Sequence, residues 1–124
     1  MPVLPAPSDW THELPHARFR SLATPARGSR ETSVWRVWLA PGVDGTPHRV
    51  TREEVFIVLE GRVACATEGS TQFAAAGDAI VTPVGVDFTI AAVGDAPAEL
   101  LCCLPVGGQA QFGSGEPFTP PWAV

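Results

Sequence analysis

His48 and Glu54 stand six residues apart in a segment that runs from Gly42 to Gly61. An imidazole and a carboxyl at this separation can act together as a general acid/base pair, or offer two lone-pair donors to a metal. The other groups with such chemistry are Cys65, Cys102 and Cys103. Their odd number and the lack of C-x-x-C spacing indicate neither a disulfide framework nor a zinc knuckle, so reduced thiols are expected. Cys102 and Cys103 are adjacent, so in a strand only one of them can face inward.

The elements that must position these groups read as short strands. Twelve Gly and 13 Pro are spread between brief apolar runs in a chain of 124 residues, and no segment keeps a 3.6-residue apolar period for three turns. Val34 to Ala40, Glu54 to Leu59, Val63 to Thr67, Ala79 to Thr82, Phe88 to Ala92 and Glu99 to Leu104 are β-branched, aromatic or small apolar runs bounded by turn residues. Leu14 to Leu22 is expected to add an edge strand. The fold class is therefore all-β, a sandwich or barrel with little helix.

Period-2 alternation places His48 and Val50 on one side of their strand. By the same rule Glu54, Phe56 and Val58 share a face, as do Phe88, Ile90 and Ala92. Glu53 then points to solvent, as do Arg49 and Arg52, for which Glu53 or Glu60 is an available partner. Trp35 and Trp38 fall on opposite faces, and one of them is core or interface.

Composition sets limits. A hydrophobic content of 45% and a charged content of 17% suit one folded domain spanning residues 1–124. A net charge of −5 argues against nucleic acid, whose phosphates need a basic surface. The first residues lack the charged and apolar regions of a secretory signal, and no run approaches the length of a membrane span, so a cytoplasmic location without membrane partners is expected. Residues 1–15 form a Pro-rich arm that is expected to run extended across a neighbour. Residues 107–124 are rich in Gly and Pro but carry Phe118 and Trp122, whose burial is worth roughly 1.5–3 kcal/mol each, so the tail is expected to dock on the body.

The spacing of Gly42, His48, Glu54 and Gly61 resembles the first conserved motif of the cupin family, with Val50 where a second histidine is expected. After 15 further residues, Gly77, Pro83 and Gly85 resemble the second cupin motif, with Phe88 at its histidine position and Ala92 at its asparagine position. The resemblance covers about residues 30 to 106. It implies a single jelly-roll β-barrel with an interior pocket, often assembled as a homodimer, here through outer apolar residues such as Trp38 or Val34.

On that fold the pocket would be lined by His48 and Glu54, paired with each other, and by an apolar wall of Val50, Phe56, Val58, Phe88, Ile90 and Ala92. Gly77, Gly85 and Pro83 would supply turns. A typical cupin holds its ion with three histidines and a glutamate. Here two histidines are replaced by residues without lone pairs, so no metal cofactor is expected; any divalent ion would rest on His48 and Glu54, supplemented by a cysteine.

Two function classes follow. One is a small-molecule-binding protein for a hydrophobic or aromatic metabolite, with His48 and Glu54 as an acid/base pair for isomerase, cyclase or lyase chemistry without metal. The other is a metal-dependent oxygenase or lyase with an unusual ligand set. A non-catalytic ligand-binding module is a third reading.

Overall fold

A computed structural model describes residues 1–124. Eleven strands form three sheets. β1 (His12–Leu14), β2 (Ala17–Ala23), β3 (Thr32–Leu39), β10 (Ala98–Pro105), β5 (Glu54–Glu60) and β8 (Ala79–Thr82) make a six-stranded antiparallel sheet in that spatial order. β7 (Ser70–Ala75), β6 (Arg62–Thr67) and β9 (Thr89–Ala92) make a three-stranded sheet, and β4 (Arg49–Val50) pairs with β11 (Ala110–Gln111). The result is an all-β jelly-roll barrel whose only helical pieces are 3-10 turns at Pro25–Arg27 and Pro121–Ala123.

The strands form where alternation lets one face be buried. β5 is buried at Glu54, Phe56 and Val58 and more open between them, and β10 alternates without a break, burying Ala98, Leu100, Cys102 and Leu104. These faces meet Phe19 of β2, Trp35 and Val37 of β3, and Val63 and Ala74 of the smaller sheet in one core cluster. Trp35 is the buried tryptophan of its pair, whereas Trp38 lies on the other face beneath the Arg18 guanidinium, 5.0 Å from the ring centre.

Several boundaries differ from the sequence expectation. The single strand expected over Leu14 to Leu22 is two strands, because the chain turns back at Pro15 and His16; proline has no N–H to extend a ladder. β2 is thereby interior, paired to β3 on one side and β1 on the other. Phe88 lies just before β9 and makes an isolated bridge to His48. β7 went unread because Ser70-Thr71-Gln72 carries no apolar alternation, and β4 and β11 are two residues each. Gly77 and Gly85 do adopt left-handed backbone, with φ of 95° and 78°, a region costly for residues with a Cβ.

The N-terminal arm lies on its own chain. Arg27 donates to the Pro5 carbonyl at 2.6 Å, Arg20 stacks over Trp10 at 4.7 Å, and β1 closes the sheet edge. The C-terminal segment also lies on the body. Trp122 stacks on Phe19 with ring centres 3.6 Å apart and planes 7° from parallel. The Ser21 and Ser33 hydroxyls donate to the carbonyls of Trp122 and Ala123, both at 2.7 Å.

Candidate active site in the barrel cavity

Inside the barrel is a cavity of about 410 Å³, and 21 of its 29 lining residues are hydrophobic. That volume is in the usual range for a small-molecule site. Its polar side chains are few: Glu54, His48 and Cys102, with His16, Asp44 and Thr46 from the connecting segments.

Glu54 opens β5 opposite Thr82 of β8, whose hydroxyl donates to the Glu54 backbone carbonyl at 2.9 Å. The same alternation that turns Glu53 out to solvent turns Glu54 in, leaving it 5% exposed. Its carboxyl has no side-chain hydrogen bond and no cation within 4.0 Å. Burial without compensation disfavours the charged form, and the carboxyl is pushed up to about 8.

His48 is held at the end of the Gly42–Pro47 loop. Its backbone exchanges two hydrogen bonds with Phe88, at 3.1 and 2.8 Å. Its ring Nδ1 lies 2.9 Å from the Thr46 carbonyl oxygen. A carbonyl only accepts, so this bond puts the proton on Nδ1 and leaves Nε2 with a free lone pair in the neutral ring. Phe88 packs against the imidazole at 4.4 Å between ring centres and Phe112 at 5.8 Å.

The expected His48–Glu54 pair is not formed. No salt bridge or hydrogen bond joins them; the histidine is bound instead to Thr46, and the two side chains line the cavity as separate polar points. Arg49 also departs from expectation. It meets Asp87 at 3.3 Å and the Gly113 carbonyl instead of Glu53 or Glu60, bracing the C-terminal segment next to β4.

Of the apolar wall, Val50, Phe56, Phe88, Ile90 and Ala92 line the cavity and Val58 does not. Val58 shares a face with Glu54 and Phe56 but lies beyond the stretch of β5 that pairs with β8. Its backbone is tied to Gly77 and Asp78, and the side chain, 1% exposed, is sealed in the core. Alternation fixes a face and not the depth along it.

Of the adjacent pair of which only one can face inward, Cys102 lines the cavity and Cys103 does not, nor does Cys65; other lining residues escaped the sequence reading. Burial, then the neighbouring Glu54 and Cys103, raise the Cys102 thiol well above its ordinary value, so it stays protonated. Trp35 and Leu100 could have been found from alternation in β3 and β10. Phe19, Phe112, Phe118 and Trp122 reach the wall only because β2 and the tail pack across the barrel.

A jelly-roll barrel enclosing an apolar cavity with a few inward polar groups defines the class of small-molecule-binding β-barrels. The family profile described as the Cupin domain matches residues 35–104, and the chain belongs to the cupin family. Among solved structures, the chain is similar to KdgF from Halomonas sp., with 21% identity and a TM-score of 0.67 over 78% of this chain and 86% of that one. It is similar also to a cupin-like protein from Thermotoga maritima, with 22% identity and a TM-score of 0.70 over 77% and 74%. A third similar structure is the polyketide cyclase RemF from Streptomyces resistomycificus, with 20% identity and a TM-score of 0.68 over 82% and 73%. At these identities the likeness is one of fold. No curated protein sequence gives a significant match.

Cupins often carry a metal, but the residues here do not fit one. No three His, Cys, Asp or Glu side chains come together in a coordinating group. The two histidine positions of the motifs hold Val50 and Phe88, each 3% exposed and packed into the core. A divalent ion needs more donors than His48 and Glu54 supply.

Proposed function

We propose that this cupin binds a small hydrophobic or aromatic metabolite in its barrel cavity and works without a metal, with Glu54 and His48 as its acid and base. The observation that carries this reading is Glu54, a buried carboxyl without a partner in an otherwise apolar wall. A buried polar group without a partner costs free energy, and such groups concentrate at functional sites. With its carboxyl pushed up to about 8, Glu54 is mostly protonated at neutral pH and serves as the acid. His48, with Nε2 free, serves as the base, and Phe56 and Phe88 supply ring faces for the ligand. Proton transfers of this kind serve isomerisation, cyclisation or elimination, and the polyketide cyclase among the similar structures is consistent with that range.

The test is saturation binding and turnover with a library of small aromatic compounds on the wild type, Glu54→Gln and His48→Ala. Turnover is expected to fall at least about a hundredfold in each variant if the two groups share the proton transfers. Unchanged affinity and turnover in both variants would reject the reading.

The protein is proposed to act in the cytoplasm as a homodimer. Three free cysteines suit a reducing compartment. Trp38 and Val34, expected to offer the interface, lie on β3 between β2 and β10 with Trp38 under Arg18, whereas Val81 and Val84, 58% and 56% exposed, leave apolar surface that a second copy would cover. Light scattering at about 50 μM should report twice the monomer mass of 13.1 kDa, and a monomer would contradict the proposal.

A further inference from the structure

The charge inventory of the cavity restricts the ligand further than its apolar character does. None of its lining residues is Arg or Lys. The chain has no lysine, and its arginines are committed elsewhere. Arg18, Arg20 and Arg62 lie over the rings of Trp38, Trp10 and Phe73. Arg36 binds Glu99 at 2.7 Å, Arg49 binds Asp87, and Arg27 binds the backbone carbonyls of Leu22 and Pro5. Arg30 and Arg52 are exposed on the surface. A carboxylate or phosphate brought into this cavity would meet no Arg or Lys to pair with; the ionisable side chains that line it are Glu54, Asp44, Cys102 and the imidazoles of His16 and His48.

Glu54 has the opposite need. Its carboxyl faces the cavity and lacks any hydrogen-bonding partner from the protein. The titratable groups around it are Cys102 and Cys103 of the neighbouring β10, both held as neutral thiols by burial, and His48, His16 and Asp44 line the same cavity. None donates a hydrogen bond that would stabilise a carboxylate. What remains unsatisfied is a donor O–H, and the complement of a buried donor is a hydrogen-bond acceptor on the ligand.

We propose that the ligand is an uncharged aromatic carbonyl compound whose oxygen accepts a hydrogen bond from the Glu54 carboxyl, and that the cavity excludes organic anions. This rests on the reading of the cavity as the ligand site and names the ligand class it selects. An organic ammonium is the competing chemistry, because it would find Glu54 as a counter-ion and ring faces at Phe56, Phe88 and Phe112. It is disfavoured because two charges would have to leave water, a cost that a buried pair at best offsets. A neutral carbonyl needs no charge to be buried, and an analogue lacking the acceptor leaves the Glu54 donor unpaired and binds more weakly.

The experiment is calorimetric titration of the wild type at pH 7 with four matched probes: acetylnaphthalene, ethylnaphthalene, naphthoate and naphthylmethylamine. The expected order is acetylnaphthalene tightest, ethylnaphthalene about tenfold weaker for want of the acceptor, and naphthoate without measurable binding. Glu54→Gln, whose amide still donates, should keep the preference for the ketone, whereas Glu54→Leu should bind ketone and hydrocarbon within about twofold of each other. Equal affinity for ketone and hydrocarbon on the wild type, or tighter binding of the amine or the naphthoate, would overturn the ligand class while leaving the cavity as a ligand site. Binding by none of the four would overturn both.

Discussion

Glu54 places the stability cost of a buried carboxyl in one residue of this barrel. Its carboxyl is raised from an ordinary 4.5 to about 8 by burial alone. Between those two values the folded protein keeps a proton that the unfolded chain has released, so stability must fall as pH rises through that window and level off above it. The slope is about 1.4 kcal/mol per pH unit for one group. Urea unfolding of the wild type and Glu54→Gln at pH 5.5 and 8 should therefore show the variant gaining roughly 3 kcal/mol relative to the wild type across the interval. Parallel profiles would mean that the carboxyl is solvated. The sequence identified Glu54 and His48 because motif spacing and period-2 alternation are local. It misjudged their relation, since whether two inward side chains touch depends on how far apart their strands sit. His48 is taken by the Thr46 carbonyl of its own loop, which leaves Glu54 alone.

At the scale of elements, the tail is part of the cavity lining. β11 is joined to β4, Phe112 packs against His48 and stacks on Phe118 at 5.5 Å, and Trp122 lies flat on Phe19, so residues from 110 to 122 supply one wall of the cavity. Trp122→Ala removes an aromatic stack and apolar burial together. It should lower stability by about 2–3 kcal/mol and weaken binding of any aromatic ligand. Urea titration monitored by far-UV circular dichroism checks the first and calorimetry the second, and a loss below about 0.5 kcal/mol would mean that the segment is only loosely laid on the body. Composition pointed to docking, because two large aromatics seldom stay in water. It could not say where, since no periodicity links Trp122 to Phe19 across a hundred residues of chain. The missed strands have the opposite cause. β7 is mostly exposed and half polar, and it is a strand because it pairs along its whole length with β6.

For the whole molecule, the decisive pairings are distant in sequence. β10 lies between β3 and β5, so residues near 100 must find residues near 35 and near 57 before the main sheet exists. Such topologies close long loops before contacts offset the entropy, and refolding from urea should take about milliseconds to seconds. Stopped-flow tryptophan fluorescence checks this, and relaxation complete within about ten microseconds would be inconsistent with the topology. The sequence by itself determined the all-β class, the cupin motifs, the inward faces of β5 and β9, and the presence of Val50 and Phe88 where the motifs carry histidine. These follow from residue type, spacing and a two-residue period, all of which act locally. Only the tertiary structure decided that Cys102, Trp35 and the C-terminal aromatics share one cavity, that Val58 does not reach it, and that no cation faces Glu54. Depth along a strand, contact between strands and the direction in which each arginine leaves the body are fixed by long-range packing, which no local pattern encodes.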